Sequence, residues 1–221
     1  MSNSLNNPKS LAVIGVFGAA LIAAYLYYEY GPGSGYRELQ ASQAALHEAK
    51  SWRAITKIPL DTSTSMVSHT REIVCPTDYV DSYAETGDLE KVHRRAYIHG
   101  FGYSQLPDGR WINSAGTSPK LNECGKGPIA GGGFLYWGLR QIEISGKVLR
   151  GERERTEHGS CVWFHIYTRP AETPDYSVCI EGFSHLPLEV RFPSSGDEYF
   201  YWDWNRTTLT PPVVTAVAAA P

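Results

Sequence analysis

The chain has 221 residues, of which 19% are charged and 12% aromatic, and its formal net charge is −3. A balance this close to neutral supplies no basic stripe, which sets nucleic acid aside as a partner. Beyond an apolar run near the start, roughly 180 residues remain, enough for one sizeable core and too few for two.

Leu11 to Tyr28 carries no charged residue. Eighteen helical residues cover roughly 27 Å, close to the hydrocarbon thickness of a bilayer, so residues 11–30 are read as one transmembrane signal anchor. Lys9 is the only charge before the run, and Glu29, Arg37 and Glu38 follow it. The positive-inside bias then places residues 1–10 in the cytoplasm and the remainder in the periplasm or outside the cell. Tyr25, Tyr27, Tyr28 and Tyr30 would form an aromatic belt, and residues 31–35 (GPGSG) a flexible linker. The alternative is secretion after cleavage of a signal peptide. The run is longer than a signal h-region and no A-x-A site follows it, Gly33-Ser-Gly35 being the nearest substitute. Either reading exports one domain over residues 36–212.

Tyr36 to Lys50 is rich in helix formers, with Leu39, Ser42, Ala45, Leu46 and Ala49 along one stripe, and predicts an amphipathic helix. Short β-branched or aromatic runs bounded by turn residues then predict strands at 51–58, 68–75, 92–99, 101–106, 110–113, 148–154, 161–168, 176–181, 188–192 and 198–203. Leu106-Pro-Asp-Gly-Arg110 closes a hairpin with Trp111 on the return strand. Ser114 to Gly133 reads as a long glycine-rich loop carrying Cys124. Phe134 to Ile142 fits a second short helix, although the IEIS at its end fits a strand as well. Pro211 onward begins as a final strand and continues over 213–221 as an uncharged tail too short to span a bilayer.

Four cysteines in an exported chain favour disulfides, and the CxxC or HxxxH spacing of a zinc site is absent. An antiparallel hairpin with Cys161 facing Cys179 puts Val162 opposite Val178 and Phe164 opposite Tyr176. Ile166 and Ile180 join that apolar face, while Trp163, His165, Ser177 and Glu181 share the cysteine face. A Cys161–Cys179 bridge follows, and Cys75–Cys124 by elimination, each stabilising by ~2–4 kcal/mol.

Catalytic patterns are not found. No GxSxG elbow occurs, and His158-Gly-Ser160-Cys161 is a turn entering a strand. Gly125 to Gly133 lacks the closing Gly-Lys-Ser/Thr of a phosphate loop, and Pro128 removes an amide donor. Glu152 with Glu154, and Asp197 with Glu198, read as solvated carboxylates rather than an acid/base pair. In the strand through 92–99, His93, Arg95, Tyr97 and His99 form a polar outward face, and its two histidines, ~20 Å apart, cannot share one ion. Asn205-Arg-Thr207 matches a glycosylation sequon and is read as a turn asparagine. No enzyme, cofactor or metal is therefore expected.

The order of elements resembles the lipoprotein-carrier superfamily. The resemblance is carried by a helix ending in Ala49-Lys-Ser-Trp-Arg53, by Glu72-Ile-Val-Cys-Pro76, and by Tyr97-Ile-His-Gly-Phe-Gly-Tyr103 running into Gly109-Arg-Trp111. Tyr176-Ser-Val-Cys-Ile180, His185-Leu-Pro-Leu188 and Tyr201-Trp-Asp-Trp-Asn205, leading to Leu209-Thr-Pro-Pro212, continue it across nearly the whole exported part. It implies a mainly β (α+β) fold in which a curved antiparallel sheet or half-barrel, closed by short helices, holds acyl chains on its concave face. That family's acylated N-terminal cysteine is absent here, the first cysteine being Cys75. On this reading Val162, Phe164, Ile166, Tyr176, Val178 and Ile180 line a site for a lipid or another hydrophobic ligand. The other reading makes the same face ordinary core, in an envelope structural or protein-interaction subunit.

Overall fold

The computed structural model describes residues 17–24, 26, 33–59, 66–85, 92–114, 124 and 146–215. Of the expected membrane span, residues 17–24 and 26 are helical and, apart from the half-buried Gly18, exposed, and the others lie outside the described residues. Among the described residues no helix is long and apolar enough to cross a membrane. The expected helix or strand at Phe134–Ile142 and nearly all of the loop at Ser114–Gly133 also fall outside them.

Helix α1 spans Ser34–Glu48, so the end of the expected linker belongs to it. Gly33 caps it in the left-handed region at φ 85°, and its carbonyl accepts the N–H of Arg37. Gly35, Leu39, Ser42 and Leu46 form its buried stripe, a helical period that needs a partner surface. The strands supply it.

Among the described residues eleven strands follow: β1 Ser51–Pro59, β2 Met66–Val74, β3 Asp78–Glu85, β4 His93–Ile98, β5 Phe101–Gln105, β6 Trp111–Ser114, β7 Lys147–Thr156, β8 Gly159–Tyr167, β9 Tyr176–Glu181, β10 Pro187–Phe192 and β11 Asp197–Trp202. They form one open, curled, antiparallel sheet in the order β6-β5-β4-β3-β2-β1-β11-β10-β9-β8-β7. Two meanders thus meet where β11 pairs with β1, with Ala54 opposite Tyr201. Each of the ten expected strands has a counterpart, and β3 is an addition. The β5–β6 turn forms as predicted, with the Leu106 N–H on the Arg110 carbonyl at 2.8 Å and Gly109 at φ 83°.

Because side chains alternate across a strand, register divides the sheet into an inner face, which carries α1, and an outer face. On the inner face Leu39 and Leu46 of α1 pack against Trp52, Ile73, Val190 and Tyr201. On the outer face Ala96, Ile98 and Tyr103 are covered by Leu209 and Val214. Val214 makes a parallel bridge to Trp111, and the Thr215 N–H reaches the Trp111 carbonyl at 3.1 Å. The described end of the expected tail therefore attaches to the β6 edge.

Two expectations need correction. The β8–β9 register is displaced by two residues: Phe164 lies opposite Val178, Val162 opposite Ile180, and Cys161 opposite Glu181. The connecting loop sets this. The Asp175 carboxylate accepts both the N–H and the hydroxyl of Thr168, at 2.7 and 2.9 Å, while the Asp175 N–H reaches the Ile166 carbonyl. A slip of two preserves every face. Cys161 and Cys179 accordingly still bond, diagonally, with Cα atoms 5.4 Å apart, and Cys75–Cys124 forms as well. The second correction concerns β4, whose His93, Arg95 and Tyr97 lie on the inner face and not on an outward one, with Tyr97 buried and the other two exposed.

Candidate functional site

The inner face has two halves. Beneath α1 lie the six residues singled out in the sequence: Val162, Phe164 and Ile166 from β8, and Tyr176, Val178 and Ile180 from β9. All are 8% exposed or less and share one cluster with Leu39 and Leu46. At its margin Tyr176, Phe192 and Tyr199 form an aromatic group with ring centroids 5.6–5.7 Å apart. Burial pushes the Tyr176 phenol well above its usual range, so it stays protonated.

The other half is built by β2, β3 and β4, and pairing defines its cross-strand rows. Trp52, Ile73, Tyr79 and Tyr97 make the first row, continuing the floor that begins under α1. The Tyr79 and Tyr97 rings lie 6.4 Å apart and nearly parallel. Ala54, Arg71, Asp81 and Arg95 make the second row, and Thr56, His69, Tyr83 and His93 the third. The Nε of Arg71 donates to Oδ1 of Asp81 at 2.8 Å, and the His69 Nε2 stands 3.4 Å from the same oxygen. His69 also stacks on Tyr83 at 3.9 Å.

Burial works to raise the Asp81 pKa, but the nearby His69 ring and the charge and hydrogen bond of Arg71 outweigh it and hold the carboxyl below its usual value. At Tyr79, burial and then the Asp81 charge push the phenol up. Sequence reasoning missed this polar half because it missed β3; the alternation of Tyr79, Asp81 and Tyr83 against Val80, Ser82 and Ala84 was the available signal.

Groups suited to other chemistry are few. No group of three or more His, Cys, Asp and Glu that could hold a metal ion occurs among the described residues. His165 Nδ1 and Ser177 Oγ are 2.8 Å apart on the outer face. Ser177 is buried and the far nitrogen of His165 packs against Gly151, so this pair offers no approach to a substrate. A cavity of about 410 Å³ opens where the β7–β8 and β9–β10 turns meet the end of β11. His158 stacks on Trp202 there at 4.7 Å, and Glu157, Glu181, Asp203 and Arg206 line it, away from the six predicted residues.

No protein-family model matches the chain, and no curated protein matches it. Solved structures do. LprF from Mycobacterium bovis superposes with a TM-score of 0.52 at 10% identity, over 82% of this chain and 98% of LprF. Lipoprotein LppX of Mycobacterium tuberculosis gives 0.48 at 13% identity, over 80% and 97% of the two chains. A LolA-superfamily protein from Nitrosomonas europaea gives 0.28 at 6% identity, over 78% and 94%. The described domain shares the fold of LprF, in agreement with the resemblance in its order of elements.

Proposed function

We propose that the chain is a membrane-anchored, extracytoplasmic and non-catalytic module that holds a lipid or another hydrophobic ligand on the inner face of its sheet. The observation that carries this reading is the continuity of the floor. Trp52, Ile73, Tyr79 and Tyr97 extend an apolar and aromatic surface from beneath α1 to β4. An apolar surface with a few convergent polar groups beside it is the usual form of a small-molecule site. In this scheme Val162, Phe164, Ile166, Tyr176, Val178 and Ile180 are the deep part of the floor, reached by a ligand when α1 lifts. The uncharged run at 11–28 is the tether.

A second reading, an envelope interaction or structural subunit, is favoured by the close packing of those six residues under Leu39 and Leu46. Native mass spectrometry of the full chain, purified from membranes and washed with detergent, separates the two. A stoichiometric lipid that is lost in Tyr79→Asp or in Ile112→Asp, Ile112 lying on the inner face in the row of Arg95 and Ser104, with thermal unfolding unchanged, supports the binding module. Equal lipid content in the parent and both variants overturns it in favour of the interaction subunit.

A further inference from the structure

The polar rows beside the floor imply what the ligand carries at its end. On the inner face, β2 to β4 present Arg71 and Arg95 on either side of Asp81, with His69 and His93 in the next row. The chain as a whole is negative. Yet in this patch two guanidinium groups flank one carboxylate among the described side chains.

Asp81 holds Arg71 through Nε at 2.8 Å, which fixes the plane of that guanidinium, and it neutralises one of the two positive charges. Arg95, its register partner on the other side, is exposed. The phenols of Tyr79 and Tyr83 stand in the rows on either side of the arginines and are hydrogen-bond donors. A fixed guanidinium beside a second, adaptable one suits a planar carboxylate or a phosphate, which accept paired N–H donors. The next row toward Cys75 is the apolar one, Ile73, Tyr79 and Tyr97, so head and chain of one molecule find their surfaces two residues apart along each strand, about 7 Å.

We propose that Arg71 and Arg95, set about Asp81, form the head-group subsite for an anionic amphiphile, a long apolar chain ending in a carboxylate or phosphate. This rests on the binding function proposed above and adds the charge of the head. A neutral lipid gains nothing from these rows, whereas an anionic one meets a positive surface that excess salt would screen.

The test uses the full chain, with both disulfides formed, held in a non-ionic amphipol. Binding of palmitate, hexadecyl phosphate, hexadecanol and inorganic phosphate is measured at low and high salt. The expected result is that both anionic amphiphiles bind at least tenfold more tightly than hexadecanol, and that the preference falls below threefold in Arg95→Gln. Arg95 is exposed, so this variant should fold; its circular dichroism and unfolding midpoint are recorded beside the binding, and Arg95→Lys should retain most of the preference. Equal binding of all three amphiphiles overturns the head-group assignment and leaves the hydrophobic site standing. Binding of inorganic phosphate as tight as that of hexadecyl phosphate makes the rows a free-anion site and overturns the amphiphile. Failure of every amphiphile to bind overturns both proposals together.

Discussion

The side-chain oxygen of Asn205 accepts the backbone N–H of Lys50 at 2.7 Å, across 155 positions of sequence. The Asn205 N–H in turn donates to the Ser51 carbonyl at 2.7 Å. One residue thus joins the end of α1 and the start of β1 to the end of β11, where the two meanders meet. It does so at φ 59°, a conformation that asparagine tolerates and alanine resists.

Replacing Asn205 by alanine therefore removes a hydrogen bond and strains the turn, a destabilisation of about 1–3 kcal/mol. Glycine accepts the backbone angle and loses only the bond, so Asn205→Gly should be the milder variant. Urea unfolding of the two measures the difference. Equal stability of both variants would mean that the left-handed turn contributes nothing.

The two disulfides should differ as their loops do. Cys75–Cys124 spans a separation of 49 residues and Cys161–Cys179 one of 18. Removing the shorter bridge with paired alanines should cost about 2–4 kcal/mol, and in the chain-entropy model removing the longer costs about 1 kcal/mol more. The reverse order in denaturant midpoints would assign the larger effect to native packing, since Cys161 and Cys179 are fully buried beside Trp163 and Leu188.

Two buried hydroxyls, Ser42 Oγ on α1 and Tyr201 OH on β11, find no hydrogen-bond partner among the described residues. Each was desolvated on folding without a compensating bond. Ser42→Ala and Tyr201→Phe should accordingly be neutral or stabilise by up to about 1 kcal/mol, whereas most core substitutions destabilise. Calorimetric unfolding of each variant checks this, and a loss above 1 kcal/mol would reveal a partner.

These particulars show what sequence could carry. The faces of β8 and β9 were legible because alternation has a period of two, and Cys161, Val162, Cys179 and Ile180 announce it. Their register was not, because it is set by the contact of Thr168 with Asp175 inside a loop whose composition specifies no single geometry. Strand β3 was hidden for a related reason. Asp78, Asp81, Ser82 and Glu85 read as loop until Asp81 is placed beside Arg71, and that pairing exists only across strands. The apolar half of the candidate site was therefore visible beforehand, and the charged half was not. Tyr97 was assigned outward for want of Tyr79, the neighbour that stacks on it.

The Asp81 environment gives a pH dependence of definite sign. Its folded pKa lies below the unfolded value because His69 and Arg71 outweigh burial. Between the two values the unfolded chain binds more protons, so stability rises with pH. The contribution is present in full above roughly pH 4, the unfolded carboxyl value, and is lost as pH falls through the folded one. Asp81→Asn should reduce stability at pH 7 and make the loss of stability below about pH 4 shallower than in the parent. Parallel acid limbs for the two proteins would remove Asp81 from the account.

Seating of α1 on the sheet depends on a missing side chain. A Cβ at Gly35 would fall 2.7 Å from Cγ1 of Val148 and 3.1 Å from its Cβ, and both atoms belong to β7, the edge over which α1 begins. Gly35→Ala must push the helix or the strand away, at about 1–3 kcal/mol, despite alanine's better helix propensity. Val148→Ala removes the obstructing methyl groups, so the double variant should recover most of the loss, and the coupling energy of the cycle measures the contact itself. The same variant also tests the cover. With α1 displaced, amide exchange should quicken in β8 and β9 around Phe164 and Val178, over which α1 packs, and stay unchanged in β4 and β5, which lie beyond it. Uniform quickening through all the strands would mean that α1 is part of the global fold; quickening confined to β8 and β9 would make it a separately opening cover, as access to the deep floor requires.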